Sequence, residues 1–209
     1  KASGSGSGEI DLAASFSDYL EAGWKTEFVG YDALQSSSRI VGLMGLDGQS
    51  ISQVEAGEQG YVITARTPFY GESGGQVGDS GHILAESGLG RVINTLRPAT
   101  DFIVHHIQVE KGHLFQDQEV NLHVEEGPRI ATARNHTCTH LLHAALREVL
   151  GEHVKQSGSL VGPERLRFDF THIHPLTDEE LTRVEDKVNA AILANIALGI
   201  LLMGPLAHG

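Results

Sequence analysis

The stretch from Arg134 to Val161, RNHTCTHLLHAALREVLGEHVKQSGSLV, combines helical periodicity with metal-ligand chemistry, so it constrains the fold more than any other part of the chain. His136 and His140 stand four residues apart, one turn along a single helical face. Two imidazoles on one face can supply half of a tetrahedral zinc shell, although such pairs also occur as ordinary exposed or capping side chains. The apolar residues recur at the spacing of an amphipathic helix: Leu141, Leu142, Ala145, Leu146, Val149 and Leu150.

Neighbouring residues narrow the chemistry that this pair of histidines can carry. A metalloprotease helix has Glu directly after its first histidine as general base, whereas this chain has Thr137, which argues against a peptidase. Cys138 projects to the other side of the helix, where we expect it to pack. His105 and His106 are adjacent on a predicted strand, so their side chains leave opposite faces and cannot both reach one metal. We assign these two no ligand role.

The amino-acid sequence around the two histidines resembles that of a known family. The helix, the later RLRFDFTH and the glycine-rich TPFYGESGGQVGDSG from Thr67 to Gly81 together resemble the editing domain of alanyl-tRNA synthetase, which is shared with free-standing alanyl-tRNA editing proteins. The likeness runs from about Thr26 to Ile196. It implies that His136 and His140 hold Zn²⁺. It also implies hydrolysis of the aminoacyl ester of tRNA(Ala) that has been mischarged with serine or glycine.

The resemblance implies roles for further residues. Gln156 stands where the family places a pocket glutamine near the scissile ester, and we predict that it binds the substrate or orients water. Gly74, Gly75 and Gln76 are implied to shape the catalytic pocket, although a tight loop that needs glycine only for its dihedral angles would contain the same residues. The basic side chains that are candidates for tRNA phosphate or terminal-ribose contacts, or else form a solvated face, are Arg134, Lys155, Arg165 and Arg167.

The residues before the histidine helix predict a sheet. Asp47-Gly48 is typical of a hairpin turn between two of its strands. We therefore expect an N-terminal antiparallel β-barrel-like subdomain. Short runs bounded by turn residues predict six strands at Thr26–Tyr31, Arg39–Leu46, Tyr61–Arg66, Arg91–Leu96, Phe102–Val109 and Glu119–Val124.

The residues after that helix predict a mixed α+β subdomain. We expect a loop through Gly158, a half-buried strand over Arg165–Thr171, and a second helix that begins at a capping box formed by Thr177 and Glu180. The predicted fold class is therefore α+β, with the barrel followed by a two-layer subdomain that the resemblance makes an editing subdomain of the threonyl/alanyl-tRNA synthetase type. The predicted domains are a flexible lead-in and short helix (1–25), the barrel-like subdomain with the glycine-rich motif (26–126), and the editing subdomain, incomplete at its C-terminus (127–209).

Composition bears on the partners and the compartment. The formal net charge is -12, and an acidic chain is a poor general binder of nucleic acid, so we expect tRNA contacts to be local and expect no DNA partner. A single cysteine excludes an intramolecular disulfide. We find neither a signal peptide nor an apolar run of membrane length, and we expect a cytoplasmic protein with no membrane partner.

One part of the family pattern is missing from the chain. The family completes its zinc shell with a Cys-Gly-Gly-Thr-His motif, which this sequence lacks. The residues after Ile196 do not align with the family. His208 is too weakly placed to serve as a substitute ligand. Two further functions therefore stay open: a non-catalytic module that binds the acceptor end of tRNA, and a structural metal domain of a larger synthetase. Aminoacylation would need ATP and a domain outside this sequence, and the remainder of the synthetase chain would then be a partner.

Overall fold

A computed structural model describes residues 15–194, and these residues form two units. The first unit contains residues 15–73 and Val77–Glu126. The second contains Gly74–Gln76 and the chain from Gly127 onwards. The residues before Ser15 and after Ala194, including His208, lie outside the described part of the chain.

The first unit is a closed antiparallel barrel of six strands. These strands are hydrogen bonded in the order β8, β4, β2, β9, β6, β7 and back to β8. β3 pairs with one end of β8, and β1 and β5 form a short parallel pair. The elements of this unit are α1 (Ser17–Glu21), β1 (Glu27–Phe28), β2 (Gln35–Gly45), β3 (Gln53–Glu55), β4 (Gln59–Thr64), β5 (Arg66–Thr67), β6 (Gly81–Ala85), β7 (Gly88–Ala99), β8 (Phe102–Phe115) and β9 (Glu119–Val124).

Alternation along the strands divides the buried side chains of the barrel into two clusters. Val62 belongs to the larger cluster and its neighbour Ile63 to the smaller one, as opposite faces of β4 require. The smaller cluster contains Phe16, which is fully buried and packs edge-on against Phe102. The short predicted helix therefore closes over one face of the barrel wall. The larger cluster includes Ile40, Leu43, Val54, Phe69, Ile83, Val92, Ile107, Leu114 and Leu122.

The structure confirms a strand in each of the six predicted regions, with shifted bounds. The first is reduced to Glu27–Phe28, and β7 and β8 are longer than predicted. The predicted hairpin turn at Asp47-Gly48 is present, because Gly45 N donates to Gln49 O at 2.9 Å and Gly48 has a φ of +80°. The strand β6 was not predicted, since its short apolar run directly follows the glycine-rich motif.

The second unit combines two helices with a two-stranded antiparallel sheet, which confirms the α+β class. Its elements are α2 (Glu126–Leu150), β10 (Lys155–Val161), β11 (Leu166–Thr171) and α3 (Asp178–Leu193). Phe168 and Phe170 of β11 pack against the buried Leu146 of α2 and Val184 of α3. No helix within residues 15–194 is both long and apolar enough to cross a membrane.

The sequence-based prediction for the second unit was correct at the start of α3 and wrong at the loop before β11. The capping box is confirmed, since Thr177 Oγ1 accepts from Glu180 N at 3.2 Å and Glu180 Oε2 accepts from Thr177 N at 2.8 Å. The long helix α2 already begins at Glu126, with Pro128 in its first turn, where the missing N–H of proline has no partner to lose.

The predicted loop through Gly158 was wrong, because Lys155–Val161 forms strand β10. Serine, glycine and glutamine have little preference for strands, but the neighbouring β11 offers a hydrogen-bonding edge that overrides this local preference. The pairing skips Ser157, since Gln156 lies opposite Phe170 and Gly158 lies opposite Asp169. Gln156 therefore projects from a bulged strand.

Candidate functional site

His136 and His140 lie on one face of α2, as their spacing predicts. Their ring centroids are 5.0 Å apart and their planes are inclined by 23°. His136 is half-buried and His140 is exposed. Two imidazoles are thus close together at a surface that a ligand can reach.

Gln76 fixes the orientation of the His136 ring. His136 Nδ1 lies 2.6 Å from Gln76 Oε1, and because an amide oxygen only accepts, the ring donates from Nδ1. In the neutral ring this leaves the lone pair on Nε2. Burial, and then the charge of His140, lower the pKa of His136 and favour the neutral form. A neutral imidazole whose other nitrogen is held by a hydrogen bond is what a zinc ligand requires, so these residues fit the metal.

The glycine-rich segment reaches this helix by packing along β10. Gly75 O accepts from Val161 N at 2.7 Å, and Gln76 forms a parallel bridge with Val161. Gly75 has a φ of +84°, and a Cβ at this position would lie 2.4 Å from Ser159 O. Only glycine therefore allows the approach that brings Gln76 to His136.

Ser159 links Gln156 to the same segment. Gln156 Nε2 donates to Ser159 Oγ at 3.1 Å, and Ser159 Oγ donates to Gly74 O at 3.4 Å. Gln156 is exposed, so much of its amide stays accessible to a ligand. The structure thus joins Gln156 with Gly74 and Gly75, and joins Gln76 with His136.

Comparison with known proteins identifies the family. A family model described as class II tRNA synthetases (A) matches residues 1–127, which is more than half of the chain. The chain belongs to the class II tRNA synthetases (A).

Individual relatives of this family are similar over nearly the whole chain. The alanine--tRNA ligases of Oleidesulfovibrio alaskensis and Nitratidesulfovibrio vulgaris are 57% and 56% identical to it over 198 residues, which cover 95% of the chain and 22% of each relative. That of Carboxydothermus hydrogenoformans is 49% identical over 173 residues, 83% of the chain and 20% of the relative. The chain therefore spans about a fifth of the length of these tRNA synthetases.

The basic side chains expected to contact tRNA are all exposed: Arg134, Lys155, Arg165 and Arg167. The first lies two residues before His136 and the second directly precedes Gln156. The last forms an ion pair with Asp169, with 3.1 Å between Nε and Oδ2. Their exposure fits a phosphate contact and equally fits a solvated face.

Two residues near the histidines escaped the sequence analysis. Asn135 Nδ2 donates to Gly162 O at 2.7 Å and so ties α2 to the turn between β10 and β11. His143 follows His140 by three residues on the same stripe of the helix, and its ring centroid lies 5.2 Å from that of Phe168. The HxxxHxxH spacing was the available signal. Within residues 15–194, no third histidine, cysteine or carboxylate forms a three-donor group with His136 and His140.

Proposed function

We propose that this chain carries part of an alanyl-tRNA editing site, which hydrolyses the aminoacyl ester of tRNA(Ala) mischarged with serine or glycine and depends on zinc. The observation that carries the proposal is the His136–Gln76 hydrogen bond beside His140, because it prepares one imidazole as a metal ligand. The high identity to proteins named alanine--tRNA ligase supports the choice of tRNA. The second unit would then be an editing subdomain of the threonyl/alanyl-tRNA synthetase type.

The selectivity of alanine binding explains the need for such a site. A pocket that admits alanine has room for glycine, and it cannot strongly reject a side chain that adds a single hydroxyl group. A second, hydrolytic site supplies the missing discrimination. An ester of serine offers that site a hydroxyl group which the ester of alanine lacks.

Each residue of the site has a role that its chemistry allows. His136 and His140 would hold zinc, which when bound supplies a Lewis acid for a serine hydroxyl group or a water molecule. Gln76 keeps the lone pair of His136 on Nε2. Gln156 has no titratable proton, so its amide orients substrate or water and does not act as a general base. Ser159 positions that amide through its 3.1 Å hydrogen bond.

The remaining components lie outside the described residues. Two imidazoles leave a zinc shell incomplete, since catalytic zinc in proteins commonly has three protein ligands. We infer that the others belong to the rest of the synthetase chain, as do the ATP and alanine sites of aminoacylation. We further infer that the module acts in the cytoplasm and meets tRNA(Ala) through local contacts at Arg134, Lys155, Arg165 and Arg167.

The test uses a full-length synthetase that contains this sequence. Release of labelled serine from Ser-tRNA(Ala) should be far faster than release of alanine from Ala-tRNA(Ala). His136→Ala/His140→Ala should abolish the difference, and Gln76→Ala should slow serine release by about tenfold, the usual effect of removing an outer partner of a metal ligand. His113→Ala, in β8 of the barrel, is the matched histidine control and should leave the rates unchanged.

Equal rates for the two esters would overturn the proposal. Binding of the tRNA acceptor end without hydrolysis would favour the non-catalytic module, and full activity of the double variant would remove the two histidines from the site.

A further inference from the structure

A second group of metal-ligating side chains lies near the end of the β10–β11 hairpin where Lys155 pairs with Thr171, the end opposite to Val161 and Gln76. His172 and His174 follow β11 on either side of Ile173, and Glu180 lies in the first turn of α3. One ligand atom from each of these three residues lies within 4.8 Å of the others. The two rings meet edge to face, with centroids 4.5 Å apart. No other such group of donors occurs among residues 15–194.

Both imidazoles have a nitrogen left for a cation. His174 Nδ1 lies 3.1 Å from Pro175 O, and since a carbonyl only accepts, the neutral ring carries its lone pair on Nε2. His172 Nδ1 lies 2.9 Å from His153 Nε2, whereas His172 Nε2 is buried and has no hydrogen-bond partner within the described residues. A buried polar atom without a partner is rare in folded proteins, and a bound ion or water molecule would supply the missing partner.

The carboxylate is held in place without using both of its oxygens. Glu180 Oε2 accepts from Thr177 N at 2.8 Å and from Thr177 Oγ1 at 2.9 Å. Oε1 accepts neither of these hydrogen bonds, and the carboxylate lies beside the two rings. Ile173 between the histidines is 84% exposed, so a hydrated ion can reach this segment.

We propose that His172, His174 and Glu180 form a second divalent-metal site that takes Zn²⁺. Two imidazoles and one carboxylate are a known protein ligand set for zinc, and they leave a fourth position for water. Mg²⁺ prefers oxygen ligands and should bind poorly. His153 acts as the outer partner that holds the His172 ring. A cation bound there would connect the end of β11 to the start of α3.

The test isolates this site from the one formed by His136 and His140. The background is the 209-residue chain with His136→Ala/His140→Ala, stripped with a chelator and titrated with Zn²⁺ against a chromophoric zinc chelator. It should bind one equivalent of zinc and should not bind Mg²⁺ at the same concentrations. Adding His172→Ala, His174→Ala or Glu180→Gln should weaken zinc binding at least 100-fold. His153→Gln should weaken it by about tenfold.

Two features make the outcome decisive. Glutamine still completes a capping box, so Glu180→Gln removes the ligand charge without breaking the start of α3, and circular dichroism can verify this. Ile173→Ala is the matched control, because it changes the same segment and keeps all three donors. The proposal is wrong if the background binds no zinc, if the three ligand variants titrate like the background, or if Ile173→Ala loses the metal equally.

Discussion

His105 in the barrel and His136 in the second unit are both hydrogen bonded through Nδ1, yet they differ in whether Nε2 also has a partner. His105 is fully buried, its Nδ1 donates to Val62 O at 3.0 Å, and its Nε2 accepts from Thr67 Oγ1 at 2.8 Å. Both of its nitrogens are satisfied within the barrel. His136 is half-buried and has its Nε2 left over. A histidine with two internal partners serves the fold, whereas one with a spare nitrogen can serve a ligand.

The hydrophobic cores of the two units differ in size, and the barrel has the larger one. Among residues 15–194, thirteen buried residues form the main cluster of the barrel and four form that of the second unit, so we expect the barrel to resist unfolding more strongly. Trp24 packs against the smaller barrel cluster and is the single tryptophan of the chain. Its fluorescence therefore reports on the barrel alone.

The largest effect is expected from the barrel core. Ile107 is fully buried in the main cluster, and Ile107→Ala should lower the free energy of unfolding by about 2–5 kcal/mol through lost burial and a cavity. Ile93 in β7 is 42% exposed, and Ile93→Ala should have a clearly smaller effect. Urea denaturation followed by Trp24 fluorescence measures both. Equal losses would contradict the assignment of the core.

The next effect concerns acidification. Burial lowers the pKa of His105 from 6.5 to about 4, so below pH 6.5 the unfolded chain binds a proton that the native barrel does not. The stabilisation that the barrel gains from this pKa difference is fully present above pH 6.5. It is lost as the pH falls towards 4, which lowers the free energy of unfolding by about 3 kcal/mol in total. His105→Leu should be less stable at pH 7 and lack this slope. Urea titrations by Trp24 fluorescence at several pH values measure it, and parallel slopes would be the contrary result.

A smaller effect is expected at the start of α3. Thr177→Ala removes half of the capping box and should destabilise the helix by about 1 kcal/mol. Thr182→Ala, within the same helix, removes a bond to Asp178 O but improves helix propensity, so it should be nearly neutral. Hydrogen exchange at the amides of Glu180 and Leu181 distinguishes them. Equal exchange rates in the two variants would deny the capping box its stabilising role.

The smallest effect on stability is expected at Gln156. It is exposed and its side chain is hydrogen bonded to Ser159, so Gln156→Ala should change the free energy of unfolding by less than about 0.5 kcal/mol. Serine release by the full-length synthetase should nevertheless slow. A collapse of the melting temperature would instead make Gln156 a structural residue.

Local patterns account for the parts of the molecule that the sequence predicts. The periodicity of α2, the alternation of Leu166, Phe168 and Phe170, and the capping box all act over a few residues. Gln76 and His136 are 60 positions apart, and nothing local in either segment indicates their hydrogen bond. β10 depends on its partner β11, so its own polar residues predicted a loop. The cluster of His172, His174 and Glu180 requires a strand end and a helix start to meet, which the sequence alone does not show.

The seam between β2 and β9 has a consequence for how the barrel folds. Ser37 Oγ donates to Asn121 Oδ1 across 84 positions of sequence, whereas β7 and β8 are joined by a turn of Thr100 and Asp101. Closing a long loop loses more chain entropy than forming a hairpin, so we expect the β7–β8 hairpin early and the seam last. Substitutions in the seam should then speed unfolding, and those in the hairpin should slow folding. Stopped-flow chevron plots of Ser37→Ala and Val92→Ala measure these rates. If the seam formed first, Ser37→Ala would slow folding and Val92→Ala would speed unfolding.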